Sequence, residues 1–160
     1  MKEGINLSLT KSLSVFDKLI DKVIKEVTAK KLLVSPELEE ANIWKFQVGK
    51  YIRIDANDEE DPPVFWIGYG WEEKGKSCIW LEFDAKTCPE NYWEKLNKLV
   101  GSTGKYYSEI DFEFTHVYMN AWIHFYLKQE FLKQFFDTDI ELSEQKEILT
   151  GFISEVMEKI

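Results

Sequence analysis

Apolar residues near the start of the chain recur with helical spacing. They are separated alternately by four and three positions and comprise Leu9, Leu13, Phe16, Ile20, Val23 and Val27. This spacing predicts a helix over residues 8–33, with Ser8 as its N-cap and Ser-Pro-Glu at 35–37 ending it. The seven-residue period is typical of a helix packed on a sheet. It would also suit a homodimer seam, although Leu19 and Ile24 widen the stripe.

The next part of the chain has the patterns of β-strands. Residues 43–55 alternate, and the apolar members of one side are Trp44, Phe46, Val48, Ile52 and Ile54. Apolar runs at 64–71 and 77–84 flank Glu-Glu-Lys-Gly-Lys, which indicates a hairpin. A three-residue loop at 74–76 places apolar residues opposite one another. The predicted pairs are Trp71 with Ile79, Tyr69 with Leu81, and Ile67 with Phe83.

The second half of the chain has the patterns of three helices and two strands. A helix is predicted over 87–101, with Thr87 and Glu90 as a capping box and Gly101 as its C-terminal stop. Two strands and two helices follow, at 105–115, 117–128, 129–136 and 143–160. The pattern predicts an α+β fold, with helices packed on a mainly antiparallel five-stranded sheet in the order α-β-β-β-α-β-β-α-α. Residues 1–160 are expected to form a single globular domain.

Periodicity also predicts which side chains form the core. Apolar residues that share one helix stripe or one strand parity are expected to be buried. The predicted core contains Phe16, Ile20, Trp44, Phe46, Ile67, Leu81, Phe83, Phe112, Phe114, Ile123, Phe125, Phe152 and Val156.

Composition and charge narrow the class of function. The chain is 44% hydrophobic and 31% charged, which is typical of a globular protein. Its formal net charge of −9 and its single arginine, Arg53, argue against direct binding of nucleic acid, which depends on Lys and Arg at phosphates. The first residues lack the apolar region of a signal peptide, two cysteines cannot form a disulfide framework, and no apolar run is long enough for a membrane span. A cytoplasmic location, away from membranes, is therefore expected.

Asp84-Ala85-Lys86 resembles the D-x-K signature of the PD-(D/E)XK nucleases, in those few residues only. Such nucleases need a second carboxylate that shares a divalent cation with the aspartate. Asp61 is the candidate by spacing, but its odd position places it on the opposite side of a straight strand from Asp84. Asp61 and Asp84 are therefore expected to lie too far apart to share a cation.

Three further motifs fail as functional sites. Gly-Ser-Thr-Gly-Lys at 101–105 lacks the earlier glycine and the following Ser or Thr of a phosphate loop, so it is predicted to be an ordinary loop. His116 and His124 would lie about 26 Å apart in one continuous strand, too far to share a metal. Cys88 lies in the first turn of a predicted helix, where the dipole would lower a thiol pKa, but a chance small residue beside Pro89 is the preferred interpretation. No cofactor and no metal are predicted.

A sheet face that mixes large rings with carboxylates is the strongest functional candidate. With Phe112 and Phe114 directed to the core, the opposite face is predicted to hold Trp66, Trp80, Glu82, Asp84, Glu109, Asp111, Glu113, Tyr118, Trp122 and Tyr126. Gly68 and Gly70 leave this face locally bare. Either a helix covers it, or it is an exposed acidic and aromatic surface suited to a protein partner.

The sequence therefore favours a non-enzymatic binding protein over an enzyme. Its predicted partner is a basic protein held by the acidic, aromatic sheet face, and inhibition of a basic nucleic-acid-handling protein is one specific version. The alternative is a metal-dependent nuclease that uses Asp61, Asp84 and Lys86.

Overall fold

The chain adopts an α+β fold with an antiparallel sheet, as the sequence predicts. The computed structural model describes residues 18–20, 22, 33–35, 47–55, 64–71, 77–108, 111–116, 119–137 and 139–160. The strands are β1 (Leu33–Ser35), β2 (Gln47–Asp55), β3 (Val64–Trp71), β4 (Ser77–Asp84), β5 (Asp111–Thr115) and β6 (Asn120–Tyr126). The helices are α1 (Glu90–Leu99), α2 (Gln129–Phe135) and α3 (Leu142–Met157).

The predicted count of five strands is wrong. Within the described residues the sheet has six strands in the order β1-β2-β3-β4-β6-β5, and all neighbouring strands are antiparallel. The additional strand is β1, where Val34 pairs with Ile54 of β2. It lies where the helix over 8–33 was predicted to end, because the apolar repeat already stops at Val27 and Leu-Val favours an extended backbone. Of that helix only residues 18–20 and 22 are described, so its proposed dimer seam lies outside the described residues.

The β3–β4 hairpin has the predicted faces but not the predicted pairs. Ile67 pairs with Leu81 rather than with Phe83, and the connection between the strands spans residues 72–76. The register therefore differs from the predicted one by two residues. A shift of two keeps every side chain on its face, because side chains alternate with a period of two. Apolar residues consequently remain opposite apolar residues.

One face of the sheet carries the core and is called the inner face. It consists of Phe65, Ile67, Tyr69, Ile79, Leu81, Phe83, Ile123 and Phe125, which pack in one cluster with buried residues of α1, α2 and α3. Leu19 and Ile20, in the first described residues, belong to the same cluster. The helices that the structure describes thus pack on the inner face.

Most of the predicted core is confirmed where the structure describes it. The buried members are Ile20, Ile67, Leu81, Phe83, Ile123, Phe125, Phe152 and Val156. The predicted burial of Phe112 and Phe114 is wrong, because their side chains are 48% and 43% exposed. They are opposite Ile123 and Ala121 on the inner side, but β5 is the last strand of the described sheet and lies beside β6 alone. Phe16, Trp44 and Phe46 lie outside the described residues.

The residues predicted to cap the helix ends are confirmed only in part. The predicted capping box of Thr87 and Glu90 is wrong, because α1 begins at Glu90 and its N-cap Pro89 makes no side-chain bond. Gly101 confirms the predicted stop, since its φ of 79° is a left-handed conformation that favours glycine. A capping box is present instead at the start of α3, between Glu141 and Glu144.

The β5–β6 connection separates two residues that the sequence placed in one strand. His116 follows the end of β5, whereas His124 lies within β6. The chain reverses between them, and Met119 in this connection has a φ of 48°. Among the described residues, no helix combines the length and apolarity needed to cross a membrane.

Candidate functional site

The face opposite the core brings together most residues of the predicted binding surface. We call it the outer face and define it by Trp66, Gly68, Trp80, Glu82, Asp84, Glu113, Trp122, His124 and Tyr126. Strand pairing places Trp66 beside Glu82 and His124, Gly68 beside Trp80 and Tyr126, and Asp84 beside Trp122 and Glu113. Asp111 is opposite His124 in the register, and its side chain lies outside the described part. Glu109 and Tyr118 also lie outside the described residues.

Two tryptophans form the aromatic centre of the outer face. The ring centroids of Trp66 and Trp80 are 4.9 Å apart, with the rings inclined by 55°. A Cβ atom added to Gly68 would lie 2.0 Å from two carbons of the Trp66 ring, so this ring covers the bare backbone of Gly68. Trp80 is only 6% exposed, whereas Trp66 is half-buried. Trp80 therefore supports the Trp66 ring and offers little surface of its own.

Substituting Gly68 by alanine should displace the Trp66 ring. The added methyl group cannot share the space of the ring, and we expect a loss of about 1 kcal/mol in the free energy of unfolding. The coupling between the two indoles in the circular dichroism spectrum should weaken at the same time. In a Trp66→Ala background the same Gly68→Ala substitution should cost nothing, because the obstructing ring is gone. Equal costs in the two backgrounds would show that the ring does not occupy this position.

A histidine and a glutamate pair across the outer face. His124 Nε2 lies 3.1 Å from Glu82 Oε2, and the two residues are opposite each other on β6 and β4. His124 is buried, and the Glu82 side chain is half-buried. The sequence predicts Glu82 on this face but not its contact with His124, which depends on a register between strands far apart in sequence. Since Glu82 is already paired, Asp84 and Glu113 are the described carboxylates of this face with more capacity for a partner.

The Asp-x-Lys signature is the turn that ends β4. Asp84 Oδ1 accepts a hydrogen bond from the backbone N–H of Lys86 at 2.8 Å, and the carbonyl of Asp84 accepts from the N–H groups of Thr87 and Cys88. An aspartate that binds the backbone two residues ahead is a common turn device. In the described part of the chain, no three Asp, Glu, His or Cys side chains come close enough to hold a metal ion. Asp61 lies outside that part, so its separation from Asp84 stays a prediction.

The Gly-Ser-Thr-Gly-Lys segment is a loop, and a carboxylate of the protein binds its backbone. Glu155 of α3 accepts hydrogen bonds from the N–H groups of Lys105 at 2.7 Å and Tyr106 at 2.8 Å. A Cβ atom on Gly104 would lie 2.5 Å from the Glu155 carboxylate, so the close approach requires glycine. The anion that this loop binds is thus the Glu155 carboxylate of the protein itself. The sequence does not predict this role of Glu155, because no local pattern links the residue to a loop about 50 residues away.

Cys88 is a buried thiol, and its surroundings disfavour the reactive thiolate form. A predicted place in the first turn of a helix implied a lowered pKa, but Cys88 lies before α1, and burial, together with the nearby charge of Asp84, raises its pKa to about 11. Burial disfavours the thiolate, because the charged form loses its water. The interpretation of Cys88 as a reactive site is therefore not supported.

The rate of alkylation tests whether the pKa of Cys88 is raised in the folded protein. In a Cys78→Ala background at pH 8, we expect iodoacetamide to modify Cys88 roughly 100-fold more slowly in the folded protein than in urea, since only the thiolate reacts. The difference should narrow as the pH rises from about 9 to 11, where the folded thiol begins to ionise. Similar rates in the folded and unfolded protein at pH 8 would contradict a raised pKa.

Comparison with known proteins assigns no family to this chain. No family model, no curated protein and no solved structure matches it. The function therefore has to be inferred from the arrangement of the chain's own residues.

Proposed function

We propose that this chain is a non-enzymatic binding protein whose outer face docks a basic protein partner. The observation that supports the proposal most is that accessible rings and carboxylates share a sheet face opposite the one on which the described helices pack. A mixed aromatic and acidic surface of this kind is suited to a protein interface. We assign binding, and no catalytic step, to the outer face.

The rings of the outer face supply apolar contact area. Trp66, Trp122 and Tyr126 are each half-buried, so part of every ring is accessible to a partner. Tryptophan and tyrosine are enriched among the residues that dominate binding energy at protein interfaces. The buried Trp80 holds Trp66 in place and reduces the ordering that binding would require.

The carboxylates of this face define a position for a cation. Asp84 and Glu113 pair with Trp122 from its two neighbouring strands, so the indole lies between two acids. Directly opposite residues on antiparallel strands have Cβ atoms about 5 Å apart. A lysine or arginine of a partner placed over Trp122 would gain a cation–π contact and two ionic contacts together. The arrangement of Asp84, Trp122 and Glu113 across three strands favours a basic partner over a neutral one.

The charge of the whole chain favours the same class of partner. A net charge of −9 attracts a basic protein over long range and repels a phosphate backbone. A surface that presents carboxylates to a nucleic-acid-handling protein would compete with nucleic acid for its basic groups. Inhibition of such a protein is the specific version of the function that we propose.

Capture followed by titration tests the proposal. We expect the cross-linked and purified partner to be basic and to bind saturably, with an affinity that falls about tenfold or more as the salt concentration rises from 0.05 to 0.3 M. Changing Glu109→Gln, Asp111→Asn and Glu113→Gln together should leave folding nearly intact and abolish binding. Binding that is insensitive to both salt and this triple change would contradict the proposal.

A nuclease assay discriminates the alternative. We expect no cleavage of DNA or RNA in magnesium or manganese, because Asp84 serves the turn at the end of β4. Metal-dependent cleavage that disappears in Asp84→Ala, in a variant that keeps its fold, would favour the nuclease hypothesis over binding.

A further inference from the structure

The edge strand β5 exposes an apolar side and an acidic side. It is the last strand of the described sheet and pairs with β6 along one edge. Phe112 and Phe114 are 48% and 43% exposed, and Glu113 between them is exposed as well. Large exposed rings on an edge strand are unusual, because such an edge also offers backbone N–H and C=O groups to another chain.

The alternation on β5 continues the two faces of the sheet. Phe112 is opposite Ile123, so it extends the apolar inner face, whereas Glu113 is opposite Trp122 and extends the outer face. A strand added beside β5 would therefore meet phenylalanine on one side and acid on the other. The most complementary strand alternates apolar and basic residues.

Charge argues against a second copy of this chain as that strand. Antiparallel pairing of β5 with itself has to place residues of one face opposite each other to keep the apolar side continuous. In the register that pairs Phe112 with Phe114 of the other copy, Glu113 is opposite Glu113, and in the register that pairs Phe112 with Phe112, Asp111 is opposite Glu113. Like charges directly opposite each other are destabilising.

We propose that β5 binds an extended segment of the partner by strand addition, and that this segment alternates apolar and basic residues. The inference rests on the proposed function for the class of partner and adds the part of the partner that is recognised. Apolar side chains of the segment would cover Phe112 and Phe114, and its basic side chains would lie beside Glu113. Backbone hydrogen bonds would supply affinity, and the alternation would supply specificity.

Peptide titration monitored by amide NMR tests this inference. The probe is an acetylated Lys-Val-Lys-Val-Lys-Val-Lys peptide, compared with a Lys-Lys-Lys-Lys-Val-Val-Val peptide of equal composition and with a fully N-methylated analogue of the first. We expect the alternating peptide to shift the amides of residues 111–116 saturably. Both comparison peptides should bind at least tenfold more weakly, because one lacks the alternation and the other lacks backbone donors.

Matched variants locate the contact on β5. Phe112→Thr with Phe114→Thr should weaken binding of the alternating peptide about tenfold, whereas Leu142→Thr, which also removes an exposed apolar side chain, should not. Glu113→Lys should weaken binding, and Glu94→Lys on α1, which makes the same charge change, should have a smaller effect. Should the double threonine variant unfold, the N-methylated peptide and the amide shifts of residues 111–116 still decide the question.

Three results would overturn strand addition. One is no binding of the alternating peptide, and another is equal binding of the blocked-sequence or N-methylated peptide. The third is a footprint on Trp66 and Trp122 that leaves residues 111–116 unchanged, which would retain the outer face as the binding site and remove β5 from it. Conversely, a footprint confined to β5, with partner binding unaffected by changes at Trp66 and Trp122, supports strand addition and contradicts the proposed function of the outer face.

Discussion

Replacing Phe125 by alanine should lower the free energy of unfolding by about 3–5 kcal/mol. Phe125 lies in β6, one of the inner strands of the sheet, and has no exposed surface. Its ring packs edge-on against Phe83 and Tyr107, with centroid distances of 5.8 and 5.3 Å. Truncation leaves a cavity that these rings and the sheet backbone cannot close, so the cost exceeds the loss of apolar burial alone. Urea denaturation measures it.

Phe114→Ala is the matched control for this prediction. The same substitution at a residue 43% exposed on β5 should cost about 1 kcal/mol or less, because little buried area is lost. The alternation of apolar residues predicts the core for both phenylalanines, so the contrast tests the structure against the sequence pattern. Equal losses at the two positions would show that β5 is covered and that the inner face extends across it.

Replacing Glu155 by glutamine should cost about 2 kcal/mol, a large effect for a change of one atom. The two carboxylate oxygens accept from two consecutive backbone N–H groups, of Lys105 and Tyr106. Glutamine would direct its NH₂ group at one of these donors, so one bond is lost and the charge that strengthens the other disappears. The loop 101–107 should loosen, and its amide exchange should accelerate.

Glu147→Gln on the same helix is the control for the Glu155 prediction. Glu147 is exposed on α3, so its substitution should change stability by less than about 0.5 kcal/mol. Lys159 also contacts Glu155, since its amino group lies 3.7 Å from the Glu155 carboxylate. The same amino group donates a hydrogen bond to Tyr107 Oη at 2.6 Å. These contacts, with the hydrogen bond to Tyr107 first, raise the pKa of Lys159. Equal effects of the two glutamine variants would contradict the role of Glu155.

The sequence predicts face membership well because burial imposes a period of two on each strand. Ile67, Leu81 and Phe125 have the predicted parity, and each is fully buried on the inner face. The same period cannot distinguish registers that differ by two residues, so the pairing of β3 with β4 was predicted incorrectly. The five-residue connection at 72–76 contains no single turn signal that fixes its length.

Position within the sheet is the second property that alternation does not encode. Phe112 and Ile123 follow the same pattern and pair with each other, yet only Ile123 is covered by helices. Which strand lies at an edge depends on the order β4-β6-β5, which is set by long-range packing. The contacts of Glu82 with His124 and of Glu155 with the loop are long-range in the same way. The composition of the candidate site was therefore predictable, whereas its internal pairing was not.

The protein's own tryptophans test most directly whether the outer face binds the partner. The chain labelled with 5-fluorotryptophan would be titrated with the captured basic partner and followed by ¹⁹F NMR, with signals assigned by single Trp→Phe substitutions. Trp66 and Trp122 lie on the outer face, whereas Trp93 of α1 packs against the core cluster on the side of the helices. We expect the signals of Trp66 and Trp122 to shift saturably while that of Trp93 stays in place. A shift of Trp93, with Trp66 and Trp122 unchanged, would contradict the assignment of the outer face as the binding surface.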